Sequence, residues 1–112
     1  MPNRVDQLNS LIMQYLAQII EQEVDISRDI LITVTKVETS KDIKYARVFV
    51  SIIPESQRGT ILKKLEASKI GIQRVLAQKM MTKFTPKLRF IIDENEVYAS
   101  EIDKLLDSIK SE

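Results

Sequence analysis

The stretch ILITVTKVETSKDIKYARVFVSIIP, residues 30–54, decides the fold. Ile30, Ile32 and Val34 alternate with Leu31, Thr33 and Thr35, and β-branched residues dominate up to Glu38. That period of two predicts a strand over 30–38. Thr39-Ser40-Lys41-Asp42 is polar, and its short side chains bond their own backbone, so a turn follows. Residues 45–53 alternate again. Ala46, Val48, Val50 and Ile52 share one side; Tyr45, Arg47, Phe49 and Ser51 share the other. Two strands joined by a short polar link make a hairpin. Pro54 has no N–H to give and stops the ladder.

Upstream of the hairpin the period is helical. Val5, Leu8, Leu11, Ile12, Tyr15, Leu16, Ile19, Ile20 and Val24 recur at steps of three and four, with Asp6, Gln7, Gln14, Gln18 and Glu21 on the opposite side. Downstream, Ile61, Leu62 and Leu65 start one helical stripe; Ile72, Val75, Leu76 and Met80 start another. A kink or tight turn near Ser68–Gly71 separates them, because glycine costs about 1 kcal/mol in a helix interior. After Pro86, Leu88, Phe90 and Ile92 alternate with Lys87, Arg89 and Ile91, giving a third strand. Val97, Ile102, Leu105, Leu106 and Ile109 suggest a weaker terminal helix. The order is α-β-β-α-α-β with a three-stranded sheet, then a tail. The expected architecture is a single two-layer α+β domain. Its sheet is covered by helices on one face, and the open face carries Arg47 and Phe49 or their neighbours. The expected division is a domain over 1–94 and an acidic C-terminal helix or partly ordered tail over 95–112.

Composition narrows the function. A chain of 112 residues suits one domain. No apolar run reaches the roughly 20 residues that span a bilayer, and the first residues lack the pattern of a signal peptide. A cytoplasmic protein is the expectation. There is no cysteine and no histidine, which excludes disulfides, thiolate chemistry and the usual zinc sites. No cofactor and no metal are expected. Ser40 and Asp42 lack a third group to orient them as nucleophile and base, and a polar turn explains both. Asp93, Glu94 and Glu96 match no metal loop.

The net charge of +1 conceals a strong asymmetry. Residues 1–57 carry six Lys/Arg and eight Asp/Glu, a net of −2. Residues 58–90 carry nine Lys/Arg and one acid, Glu66, a net of +8. Residues 91–112 carry two lysines and seven acids, a net of −5. RNA presents a line of phosphates, and a binder needs cations spread along a surface. The candidate RNA-binding residues are Lys63, Lys64, Lys69, Gly71, Arg74, Lys79, Lys83, Lys87 and Arg89. The Ser68–Gly71 break has two readings. It clamps a nucleic-acid backbone at the start of a helix, or it is a plain connection in which Gly71 supplies a left-handed cap. Tyr45, Phe49 and Phe90 are expected to serve packing rather than base stacking, since aromatics are only 5% of the chain.

The order of elements is that of a type II KH domain. Residues 34–51, VTKVETSKDIKYARVFVS, resemble the hairpin of the bacterial ribosome-binding factor A family, and residues 86–93, PKLRFIID, look like its Pro-x-Leu-x-Phe-x-x-Asp element. The Arg4-Val5 opening and the closing Ile102-Asp103-Lys104-Leu105-Leu106 also fit, so similarity covers about residues 4–109. The family replaces the KH Gly-rich loop with an Ala-x-Gly kink. Here Ala67 and Gly71 stand four apart, and Arg74 matches the family's arginine after the kink. The resemblance implies a factor without catalytic activity. Such a factor binds the immature small (30S) ribosomal subunit through its 16S ribosomal RNA. It assists late maturation, including formation of the 5′ end, and matters most in the cold. An assembly GTPase is a candidate further partner, and nothing demands more than a monomer. The rival reading is a protein-interaction module that docks a partner through its amphipathic helices without binding RNA.

Overall fold

The computed structural model describes residues 4–81 and 85–94. The terminal helix or tail expected over 95–112 and the candidate Lys83 lie outside the described residues. The elements are α1 (Arg4–Glu23), β1 (Leu31–Thr39), β2 (Tyr45–Ile53), α2 (Arg58–Ala67), α3 (Lys69–Met80) and β3 (Lys87–Ile92). A short 3-10 turn, Glu55–Gln57, leads into α2. The fold is the expected α-β-β-α-α-β arrangement with a three-stranded mixed sheet.

β2 is the central strand. β1 lies antiparallel on one side of it and β3 parallel on the other. A parallel neighbour needs a crossover, and α2 and α3 supply it. Ala46, Val48, Val50 and Ile52 are buried as their alternation requires. They meet Leu88 and Phe90 from β3, and Ile12, Leu16, Ile19, Ile20, Ile61, Leu65, Ile72 and Leu76 from the helices, in one core. Steps of three and four put Ile12, Leu16, Ile19 and Ile20 on one face of α1, while Gln14, Gln18 and Glu21 face water. A side-chain bond ties α1 to β1: the Thr39 N–H donates to Asn9 Oδ1 at 3.0 Å.

β1 departs from simple alternation. Its register slips between Val34 and Lys36, so that Val34 pairs with Val50 but Lys36 pairs with Phe49. Thr35 is the extra residue of a β-bulge. Before it, the even residues Ile32 and Val34 face the core side; after it, Val37 does. Unbroken alternation would drive Lys36 and Glu38 into the apolar layer, at a cost of several kcal/mol per unpaired charge. The bulge turns both outward. Thr35 Oγ1 donates to Asp93 Oδ2 at 2.5 Å and lies 3.3 Å from the Phe49 carbonyl oxygen, which holds the bulged strand against the end of β3.

The break between α2 and α3 is a single residue. Ser68 sits at φ −92°, ψ 0°, its N–H donating to the Lys64 carbonyl at 3.0 Å while its own carbonyl accepts from the Ile72 N–H at 2.9 Å. Gly71 lies within the first turn of α3 and not at a cap. Its φ is not positive, which removes the left-handed-cap reading of this glycine. Nothing stands within 4 Å of where a Cβ on Gly71 would project. Alanine therefore fits, and Gly71→Ala is expected to raise stability by about 0.5–1 kcal/mol. Urea unfolding of the purified variant checks this; a loss of stability would mean that the helix start is tighter than it looks.

Candidate nucleic-acid interface

The helices cover one face of the sheet and leave the other open. On the open face the three strands place side chains in rows. Glu38, Arg47 and Arg89 form the middle row, through the pairs Glu38↔Arg47 and Arg47↔Arg89. Lys36, Phe49 and Ile91 form the row on one side of it. Tyr45 and Lys87 form the row on the other, beside the hairpin turn. Four cations and one acid thus share the three rows.

Glu38 anchors two of those cations. Its carboxylate lies 2.6 Å from Lys36 Nζ and 2.6 Å from Arg47 Nη2. The hydrogen bond from Lys36 is the largest effect on the Glu38 carboxyl; with the charges of Lys36 and Arg47 it outweighs the opposing effect of burial and holds the group below its ordinary value of 4.5. Both cations are more than half exposed. Ion pairs of this kind contribute about 0–1 kcal/mol, so Arg47 can exchange the carboxylate for a phosphate at little cost. Lys36 also stands 5.8 Å from the centroid of the Phe49 ring. Arg89 and Lys87 are exposed and make no ion pair with a described residue.

Side-chain hydrogen bonds brace the hairpin turn. The Ser40 hydroxyl donates to Asp42 Oδ1 at 2.7 Å and accepts from the Tyr45 N–H at 3.1 Å, and the Lys44 N–H donates to the same carboxylate oxygen at 3.1 Å. The Ser40 hydroxyl first, and the Lys44 N–H second, hold the Asp42 carboxyl below its ordinary 3.8. Ser40 and Asp42 are thus occupied in shaping the turn, as the sequence leads one to expect.

A groove runs from this turn across the open edge of β3 to the α2–α3 break. Its lining joins Lys69, Glu66 and Gln73 to Lys87, Arg89, Arg47 and Tyr45. Gln73 builds it: its side-chain Oε1 accepts from the Leu88 N–H at 2.8 Å, which ties α3 to β3 and covers an edge donor. Lys69 Nζ lies 2.6 Å from Glu66 across the α2–α3 break.

The structure therefore divides the sequence candidates. Lys69, Lys87 and Arg89 come together in the groove. Lys63, Lys64, Gly71, Arg74 and Lys79 do not line it. Lys64 reaches the Asp25 carbonyl at 3.0 Å, and Lys79 stands 6.0 Å from the Tyr15 ring on α1. Arg47 and Lys36, which lie outside the basic stretch 58–90, join the open face; strand alternation is the signal that exposes Arg47. Tyr45 departs from the expectation that aromatics serve packing. Phe90 is 4% exposed and buried as expected, but Tyr45 is 58% exposed. It lies at the end of β2 beside the hairpin turn, where it also borders Leu8 and Leu11 of α1 and Met80 of α3.

Beyond the fold, comparison with known proteins settles kinship. A model of the family described as "Ribosome-binding factor A" matches residues 4–106. This chain belongs to the ribosome-binding factor A family. A ribosome-binding factor A from Chlorobaculum tepidum is 36% identical over 110 residues, covering 96% of this chain and 91% of the relative. The crystal structure of ribosome-binding factor A from Thermus thermophilus superposes with a TM-score of 0.71, covering 80% of this chain and 97% of that one. At 24% identity it attests the fold. A Thermus thermophilus ribosome-binding factor A homology model fitted into a cryo-EM map of a 30S complex gives a TM-score of 0.67 at 27% identity, covering 76% of this chain and 90% of that one. Among the described residues no helix is long and apolar enough to cross a membrane, and no group of His, Cys, Asp or Glu is placed to hold a metal.

Proposed function

We propose that this protein binds the immature small (30S) ribosomal subunit through its 16S ribosomal RNA and assists late maturation, including processing of the 5′ end, with no chemical step of its own. Membership of a ribosome-binding family supports the target. The observation that carries the mode of binding is the convergence of Lys69, Lys87, Arg89 and Arg47 on one groove and one open sheet face. Cations spread along a surface neutralise successive phosphates, position the protein on RNA and need no base sequence. Lys63, Lys64, Arg74, Lys79 and Lys83 extend the positive field around that groove, and the surface beside Gly71 at the start of α3 is open. The protein acts in the cytoplasm as a monomer, leaves the subunit after maturation, with an assembly GTPase as a candidate for its release, and matters most in the cold.

A second groove favours a protein partner as the rival reading. Leu8, Leu11, Ile43, Tyr45 and Met80 line it between α1, the hairpin turn and the end of α3. Co-sedimentation with isolated small and large subunits across a salt series separates the two. Binding to small subunits alone, falling steeply as salt rises, is the expected result. Salt-insensitive binding, or none at low salt by a folded protein, would transfer the role to the apolar groove.

A further inference from the structure

We propose that Tyr45 is a stacking platform for an unpaired RNA base, flanked by cations that hold the adjoining phosphates; this rests on the RNA-binding reading above. Four aromatic rings fall among the described residues. Phe90 is buried in the core, and Tyr15 packs against the core with Lys79 near its ring. Phe49 is half-buried beneath Lys36. Tyr45 alone of the four is more than half exposed, and no cation of a described residue stands over its ring. An exposed aromatic face on a sheet is a surface on which a base stacks.

Tyr45 borders the apolar groove of Leu8, Leu11, Ile43 and Met80 on one side, and the cations Arg47, Lys87 and Arg89 on the other point to a nucleotide. Lys87 is the cross-strand partner of Tyr45, and in the next row Arg47 and Arg89 face each other directly. Like charges directly opposite on a sheet are destabilising. Glu38 pairs with Arg47 but not with Arg89, so the row keeps an excess of positive charge. An anion between the two guanidiniums relieves it. A base on Tyr45 brings its own phosphate to Lys87 and the next to the arginine pair. A duplex hides its base faces and cannot use the ring. The chemistry therefore selects single-stranded RNA, a loop or an end, over a continuous helix.

The chain has no tryptophan, so Tyr45→Trp provides a single indole reporter. Its fluorescence is expected to be quenched by a short oligouridylate and not by a blunt RNA duplex at equal phosphate concentration. Tyr45→Ala is expected to weaken single-strand binding about tenfold, with the thermal midpoint and the slope of log affinity against log salt unchanged. Tyr45→Phe retains affinity. An equal loss on duplex and single strand, or a shallower salt slope, would show an electrostatic or structural role and overturn the platform. If the wild-type protein binds both RNAs and Tyr45→Ala changes neither, RNA binding stands and the platform falls. If the wild-type protein binds neither at low salt, both fall.

Discussion

Reversing Lys69, Lys87 and Arg89 together to glutamate is expected to lower affinity for small subunits by at least about two orders of magnitude at moderate salt. Each reversal removes an attraction of about 1 kcal/mol, for charges about 4 Å apart in water, and adds a repulsion of similar size. Three such changes exceed the roughly 1.4 kcal/mol that separates one tenfold step from the next. Each cation that no longer neutralises a phosphate also removes about 0.7–0.9 from the salt slope. The fold should survive. Lys87 and Arg89 are exposed, and Lys69 loses one surface ion pair with Glu66. A matched triple reversal of Lys63, Lys64 and Lys79 changes net charge equally but lies outside the groove lining. It should cost much less. Co-sedimentation of both variants decides: equal losses would mean that total charge, and not the groove, carries the affinity.

The second large effect is on stability. Leu76 on α3 is fully buried in the core that joins the helices to the sheet. Leu76→Ala is expected to cost about 3–4 kcal/mol, the lost transfer energy plus the cavity that remains. A domain of this size has about 5–15 kcal/mol in total, so the variant loses a large share of it. Urea unfolding should show a much lower midpoint with little change in slope. Ile70, six residues earlier and 73% exposed, is the control. Ile70→Ala should stay within about 0.5 kcal/mol of the parent. A small loss at Leu76 would mean that the core collapses around the missing methyl groups or is looser than its burial suggests.

Both predictions rest on features that differ in how far the sequence revealed them. Burial of Leu76 follows from the stripe Ile72, Val75, Leu76 and Met80, which any helix would turn to one side. The faces of β2 were equally legible, because every second residue from Ala46 to Ile52 is apolar. The α2–α3 break was located to within a few residues, but its form was not. Glycine is the residue free of side-chain restriction, yet the chain turns at Ser68 and keeps Gly71 inside the helix.

The candidate site was legible as a charge excess and not as a place. Nine cations in 33 residues mark the stretch 58–90 as basic. Which of them converge depends on how α3 meets β3. The Gln73–Leu88 bond, between residues 15 positions apart, closes that groove. Arg47 and Tyr45 enter it from a strand that precedes the basic stretch altogether.

By itself, then, the sequence determined the order of the elements, the inward face of α1, β2 and β3, and the sign of the charge downstream of the hairpin. These are properties of neighbours along the chain, and periodicity records them directly. Only the tertiary structure decided the β1 bulge that turns Lys36 and Glu38 outward, the pairing that sets Arg47 beside Arg89, the gathering of Lys69, Lys87 and Arg89, and the exposure of Tyr45. Each depends on which distant residues share a register or leave a face uncovered. That is settled when strands pair and helices pack across the whole domain, where no local pattern reaches.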